Sequence, residues 1–161
     1  MKLTSRLIAG ALLLAGPAAF SSDTASASAS ADILTPISLA KVTDLVFGSI
    51  SPTGTPGTLV LSAAGVRTPT NVTTASGTFG TASFTATGTG SQTFTITPDT
   101  SITIDDGAAH TMTVDTFTTS AGAGTLSLGT QTFNVGATLH VGANQFAAHY
   151  TGTFSVTVAY N

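Results

Sequence analysis

From residue 33 onward, apolar and hydroxyl-bearing side chains take turns along the chain. "TLVLSA" puts Leu59 and Leu61 on one parity, "TASFTAT" puts Ala82, Phe84 and Ala86 there, and "QTFTIT" adds Phe94 and Ile96. "SITI" contributes Ile102 and Ile104, and "HTMTVD" contributes Met112 and Val114. In "YTGTFSVTVAYN", Tyr150, Phe154, Val156, Val158 and Tyr160 share a parity, opposed by Thr151, Thr153, Ser155 and Thr157. A period of two with one apolar face predicts antiparallel strands, buried on one side and wet on the other. Turn residues punctuate the runs: Pro52 to Gly57, Gly88 with Gly90, Asp106-Gly107, and Gly122 with Gly124. Eight to ten short strands with no helical period between them predict an all-β, immunoglobulin-like antiparallel β-sandwich.

The first residues follow another logic. Lys2 and Arg6 precede an apolar run from Ile8 to Ala15, and small-x-small sites follow at Ala25-Ser26-Ala27, Ala27-Ser28-Ala29 and Ala29-Ser30-Ala31. That is the layout of an export signal, with an apolar run too short to span a bilayer as a permanent helix. The expected organisation is a signal peptide over residues 1–27, cut somewhere between 25 and 31, an alternating extension over 28–36, and a sandwich over 37–161. In the extension, Ala27, Ala29, Ala31 and Ile33 share one parity, and Pro36 marks the hinge into the first strand of the domain. A second register, Ile33 with Ile37 and Leu39, is interrupted by Pro36, which removes a ladder donor.

Composition narrows the functional classes. Four basic residues against seven acidic ones cannot neutralise a phosphate backbone, so no nucleic acid is expected as a partner. Threonine makes up about a fifth of the chain, which favours strands over helices. With no cysteine, a disulfide framework and a thiolate nucleophile are excluded. No segment after the leader is apolar enough for a transmembrane helix.

No catalytic constellation emerges. His140 lies on the parity opposite Leu139 and Val141, His149 lies opposite Tyr150, and both are expected in solvent. His110 is expected to begin a strand at a core margin. The three lack metal-ligand spacing, so no metal, no cofactor and no enzymatic role are expected. Asp105-Asp106-Gly107 reads as a hairpin turn, and Gly88-Thr89-Gly90 lacks the lysine and helix of a phosphate loop.

Two resemblances add to this picture. At "DLVFGSI" (44–50), "ASFTATG", "MTVDTF", Val135-Gly136 and the terminal Tyr-x-Gly-x-Phe strand, the chain resembles the bacterial secreted family catalogued as domain of unknown function 4402, from about Ile33 to Asn161. More loosely, the alternating extension and the penultimate Tyr160 resemble subunits of chaperone-usher fimbriae. Those are secreted immunoglobulin-like domains that lack their final strand. This chain departs from them in having no cysteine, and Ala148 where they often carry glycine.

The looser resemblance implies an exported subunit that travels through the periplasm to the cell surface. Its partners would be further copies of itself joined by strand exchange, a periplasmic chaperone and an outer-membrane usher. Ala27, Ala29, Ala31 and Ile33 would be the donor side chains, with Phe154, Val156, Val158, Tyr160 and Asn161 along the acceptor groove. Such strand addition draws affinity from backbone hydrogen bonds and specificity from alternate side chains. Each alanine contributes only about 0.8 kcal/mol of burial, so the ladder must carry much of the affinity. The competing expectation is a secreted adhesin or glycan-binding sandwich, which exposed aromatics would favour.

Overall fold

Hydrophobic alternation becomes twelve strands in the computed structural model, which describes residues 22–161. They are β1 (Ser38–Thr43), β2 (Ile50–Pro52), β3 (Gly57–Leu61), β4 (Arg67–Thr70), β5 (Val72–Thr74) and β6 (Ala82–Thr87). There follow β7 (Thr93–Pro98), β8 (Ser101–Asp105), β9 (Thr111–Thr119), β10 (Ala123–Thr125), β11 (Thr130–Val141) and β12 (Val156–Tyr160). All pairings are antiparallel and no helix occurs among the described residues. The compact unit runs from Ile33 to Asn161. Residues 22–32 form a separate unit without regular secondary structure, and the expected signal peptide falls largely on residues 1–21, outside the described residues.

The larger sheet is organised by β11. Val135 stands opposite Ala82 of β6 on one side and Thr119 of β9 on the other, while Leu139 stands between Leu59 of β3 and Val114 of β9. Strands β6 and β3 are therefore successive neighbours along one edge of β11, with β9 along the other. Beyond them, β1 pairs with β6, β4 with β3, and β8 with β9. A smaller sheet, β10-β7-β12, faces the β6 end, and a two-stranded ribbon, β2-β5, is hydrogen-bonded into neither sheet.

The parity read from the sequence sets the inner faces. Ala82, Phe84, Ala86, Phe133 and Val135 from the larger sheet meet Phe94, Ile96 and Leu126. Each large side chain buried here contributes roughly 1.5–3 kcal/mol. A second cluster, Leu59, Val114, Ala137, Leu139 and Val141, lines the other half of the same sheet. That half has no strand of the smaller sheet above it. Leu45, Phe47 and Ile50 from the segment after β1, and Val72 of β5, pack against it instead.

Three expectations are corrected. Strands number twelve rather than eight to ten, because three-residue pieces such as β2, β5 and β10 carry too little alternation to be read. Gly124, read as a turn breaker, lies within β10, where its missing side chain makes room for the ring of Phe94. The terminal run is not strand from Tyr150: Thr151 exchanges backbone hydrogen bonds with Asp105, drawing residues 150–155 across β8, and β12 starts only at Val156.

Candidate functional site

The exposed strip of core beside β12 is the feature that distinguishes this sandwich from a closed one. Asp99 N donates to Ser155 O, and Asn161 N donates to Thr93 O. The odd-numbered residues of β12 thus carry the ladder to β7, since hydrogen-bonded pairs alternate along an antiparallel pair. The backbone groups of Val156, Val158 and Tyr160 consequently point to the opposite edge, and among the described residues no strand pairs with that edge. Their side chains, with Phe154, turn inward and remain only half-buried against the core of Phe84, Phe94 and Phe133. Asn161 is exposed at the strand's end.

Across the strip lies β1, itself an edge strand paired only with β6. Ile37 and Leu39 pack half-buried against the same core. A bulge between Lys41 and Thr43 interrupts the pairing of β1, and Val42 is left exposed there. Bulges at sheet edges blunt unwanted pairing, and here the bulge lies where the chain departs into a loop.

Beyond the bulge the strip widens into a groove of about 1130 Å³. One wall is the segment from Lys41 to Pro52, the other the segment from Gln145 to Phe154, and the floor includes Phe84, Ile104, Val114 and Leu139. Each wall is fastened. Val46 and Gly80 exchange backbone hydrogen bonds of 2.8 and 2.9 Å, and the Arg67 guanidinium donates to Phe47 O while lying 3.9 Å over the Phe79 ring. On the other wall, Tyr150 donates its hydroxyl to Phe146 O and accepts from Gln145 Nε2, and the Phe146 ring stacks on His110 at 4.2 Å.

Ala27, Ala29 and Ala31 lie in the stretch without regular structure, with exposed side chains, and Ile33 at the start of the compact unit is 94% exposed. Ile37 and Leu39 belong to the domain's own core, which removes them as donor side chains. Two residues after Ile33 the chain is fixed: Thr35 N donates to Thr89 Oγ1, and Thr35 O accepts from the Tyr160 hydroxyl.

The histidines occupy surface sites, each beside an aspartate. His140 Nε2 lies 2.9 Å from Asp115 Oδ1, and His110 Nδ1 lies 2.6 Å from Asp106 Oδ2. The hydrogen bond from His140 is the main cause that holds Asp115 below the usual carboxylate range; partial burial opposes it and Thr116 adds to it. Asp106 is held low likewise, first by His110, against burial, with further help from the backbone N–H groups of Ala108 and His110. The Asp106 contacts tie the β8–β9 turn together, and the Asp115–His140 contact links β9 to β11. His149 is exposed, and no group of three metal-ligating side chains forms among the described residues.

Fold and site together define a class: an all-β antiparallel sandwich with a one-edged strand beside an apolar groove. More specifically, the chain belongs to the family described as Domain of unknown function (DUF4402), which matches residues 37–160. Neither the curated proteins nor the solved structures include a match to the chain.

Proposed function

We propose that the protein is a non-catalytic structural subunit of an extracellular fibre or surface coat, assembled by donor-strand complementation in the manner of fimbrial subunits. The observation that carries this reading is the free edge of β12. Backbone groups of Val156, Val158 and Tyr160 lack a strand partner there, and their side chains leave a half-covered apolar strip leading into the groove. An edge of this kind is a template for a further strand and an aggregation hazard while uncovered.

An immunoglobulin-like plan is part of the proposal. The Tyr150 hydroxyl bonds back to Phe146 O where the chain passes from the larger sheet to the smaller, which is the arrangement of a tyrosine corner. Export through the periplasm, with a chaperone covering the strip before assembly and an usher guiding it, follows from the same reading. So does a leader that is cut so as to leave at least part of residues 26–33 in place.

The test is mass analysis of the protein recovered from a bacterial host that exports it, together with electrophoresis before and after heating. A ladder of heat-dissociable polymers that retain at least part of residues 26–33 is expected. A mature N-terminus at Asp32 on a strictly monomeric protein would overturn the reading.

A further inference from the structure

Donor and groove are matched in size along their length, and that match fixes both the source of the donor and its direction. Near Tyr160 the strip is narrow: the Tyr160 hydroxyl crosses it to Thr35 O at 2.8 Å, and Ile37 and Leu39, which follow Thr35, pack against the same core as Val158 and Tyr160. Near Phe154 it is wide, opening into the groove of about 1130 Å³. The extension is graded likewise, with single methyls at Ala27, Ala29 and Ala31 and one large side chain at Ile33.

The chain's own Ile33 cannot reach the wide end. Thr35 is held by the Tyr160 hydroxyl, and two residues span at most about 7 Å, whereas the six steps from Phe154 to Tyr160 span about 20 Å of strand. A return of the same chain beside β12 would also run parallel to it. Phe84 meets Phe154 and Gly88 adjoins Tyr160, so β12 runs in the sense of β6 and against β1, and the chain approaching β1 from Thr35 would have to run with β12.

Resting on the donor-strand reading, we infer that the occupant is residues 27–33 of a second copy, lying antiparallel to β12 with Ala27 opposite Tyr160, Ala29 opposite Val158, Ala31 opposite Val156 and Ile33 opposite Phe154. In this register every donor residue facing the core is also one that meets the free backbone groups of β12. Asp32, the only charge of the segment, has the parity opposite to Ala31 and Ile33, so in this register it faces solvent and no charge is carried into the apolar strip. The seven residues from Ala27 to Ile33 reach about 23 Å when extended, which covers the ~20 Å from Phe154 to Tyr160 and requires the leader to be cut before Ala27. Leu34 alone then joins the donor to the Thr35 clamp of its own domain, which makes the link between copies short.

Because the chain has no cysteine, the register is open to cross-linking. Full chains carrying Ala31→Cys are unfolded, mixed with full chains carrying either Val156→Cys or Val158→Cys, refolded together and oxidised mildly. Linked heterodimers are expected with Val156→Cys. Linkage favouring Val158→Cys overturns the register, by reversal or by a two-residue slip, but leaves strand exchange standing, whereas linkage with neither overturns strand exchange itself. The doubly substituted chain, Ala31→Cys with Val156→Cys, should yield linked multimers; a linked monomer overturns the second copy as donor.

Two substitutions in the extension check the size match without touching the folded core. Ile33→Ala should weaken assembly about tenfold or more. Ala29→Ile should weaken it as well, although it adds apolar surface, because the narrow end takes only a methyl. Tighter assembly by Ala29→Ile overturns the register.

Discussion

The hydroxyl of Tyr160 donates to the carbonyl of Thr35 at 2.8 Å and accepts from the amide of Thr89 at 2.8 Å, tying the last strand to the chain that leads into the first. The site is close-packed: a methyl at Gly88 would overlap the Tyr160 hydroxyl. Tyr160→Phe keeps the ring and removes both bonds. Its expected cost is about 1–2 kcal/mol, from two hydrogen bonds of which one leaves a partly buried donor unpaired. Urea denaturation of the two proteins measures it, and equal midpoints would show that the contact is incidental.

Acid should loosen the β8–β9 turn, held by Asp106 and His110, and the side-chain tie between β9 and β11, held by Asp115 and His140. The folded-state carboxyls of Asp106 and Asp115 are held below their ordinary value of 3.8, so the unfolded chain binds protons at a pH where the folded chain does not. Their contribution to stability is thus complete above the ordinary value and is lost as pH falls through it toward the lowered folded values. Asp106→Asn together with Asp115→Asn removes that proton uptake. Melting temperature measured from pH 6 to pH 2 should fall less steeply for this double variant than for the parent; parallel curves would contradict the assignment.

Gly136 shows how one residue can hold two pairings in place. It lies in β11 at the point where the neighbour along one edge changes from β6 to β3, and a methyl there would overlap the carbonyl of Leu61. The obstacle is backbone, which cannot rotate aside as a side chain can. Gly136→Ala should therefore destabilise by about 1–3 kcal/mol, the usual range for overpacking, despite the higher strand propensity of alanine. A stability equal to the parent in thermal unfolding would mean that β3 moves freely relative to β11.

Faces were legible in the sequence and partners were not. Phe84, Phe94, Ile96 and Val114 point inward as their parity requires, because alternation records which side of a strand is dry. It does not record that β11 borrows two strands along one edge, since pairing is a long-range fact and each threonine-rich run is nearly equivalent to the next. In the sequence, the wall from Lys41 to Pro52 is marked only by the family motif "DLVFGSI" at residues 44–50. Its role depends on Arg67 and Phe79, residues with no local pattern to mark them. Of the residues beside the uncovered strip, Val156, Val158 and Tyr160 could be found because the alternation continues through Tyr160. The free edge could not, as it depends on which residues of β12 turn their amides toward β7.

Arg67 is the contact through which the groove can be altered without touching its lining core. Its guanidinium reaches Phe47 O at 3.2 Å and covers the face of Phe79, so it anchors the Lys41–Pro52 wall from behind. Lysine at this position keeps the charge but loses the planar donor fork and the flat stacking surface. Arg67→Lys should cost about 0.5–1 kcal/mol, and Arg67→Ala about 1–2 kcal/mol, through the lost cation–π contact and hydrogen bond together. Because Val46 and Gly80 still tie the wall, the sheets should stay intact while the wall loosens. Hydrogen exchange followed by mass spectrometry should then show faster exchange across residues 44–50 with protection of β11 unchanged. Uniform loss of protection over the domain would mean instead that Arg67 supports the whole fold and not the groove wall in particular.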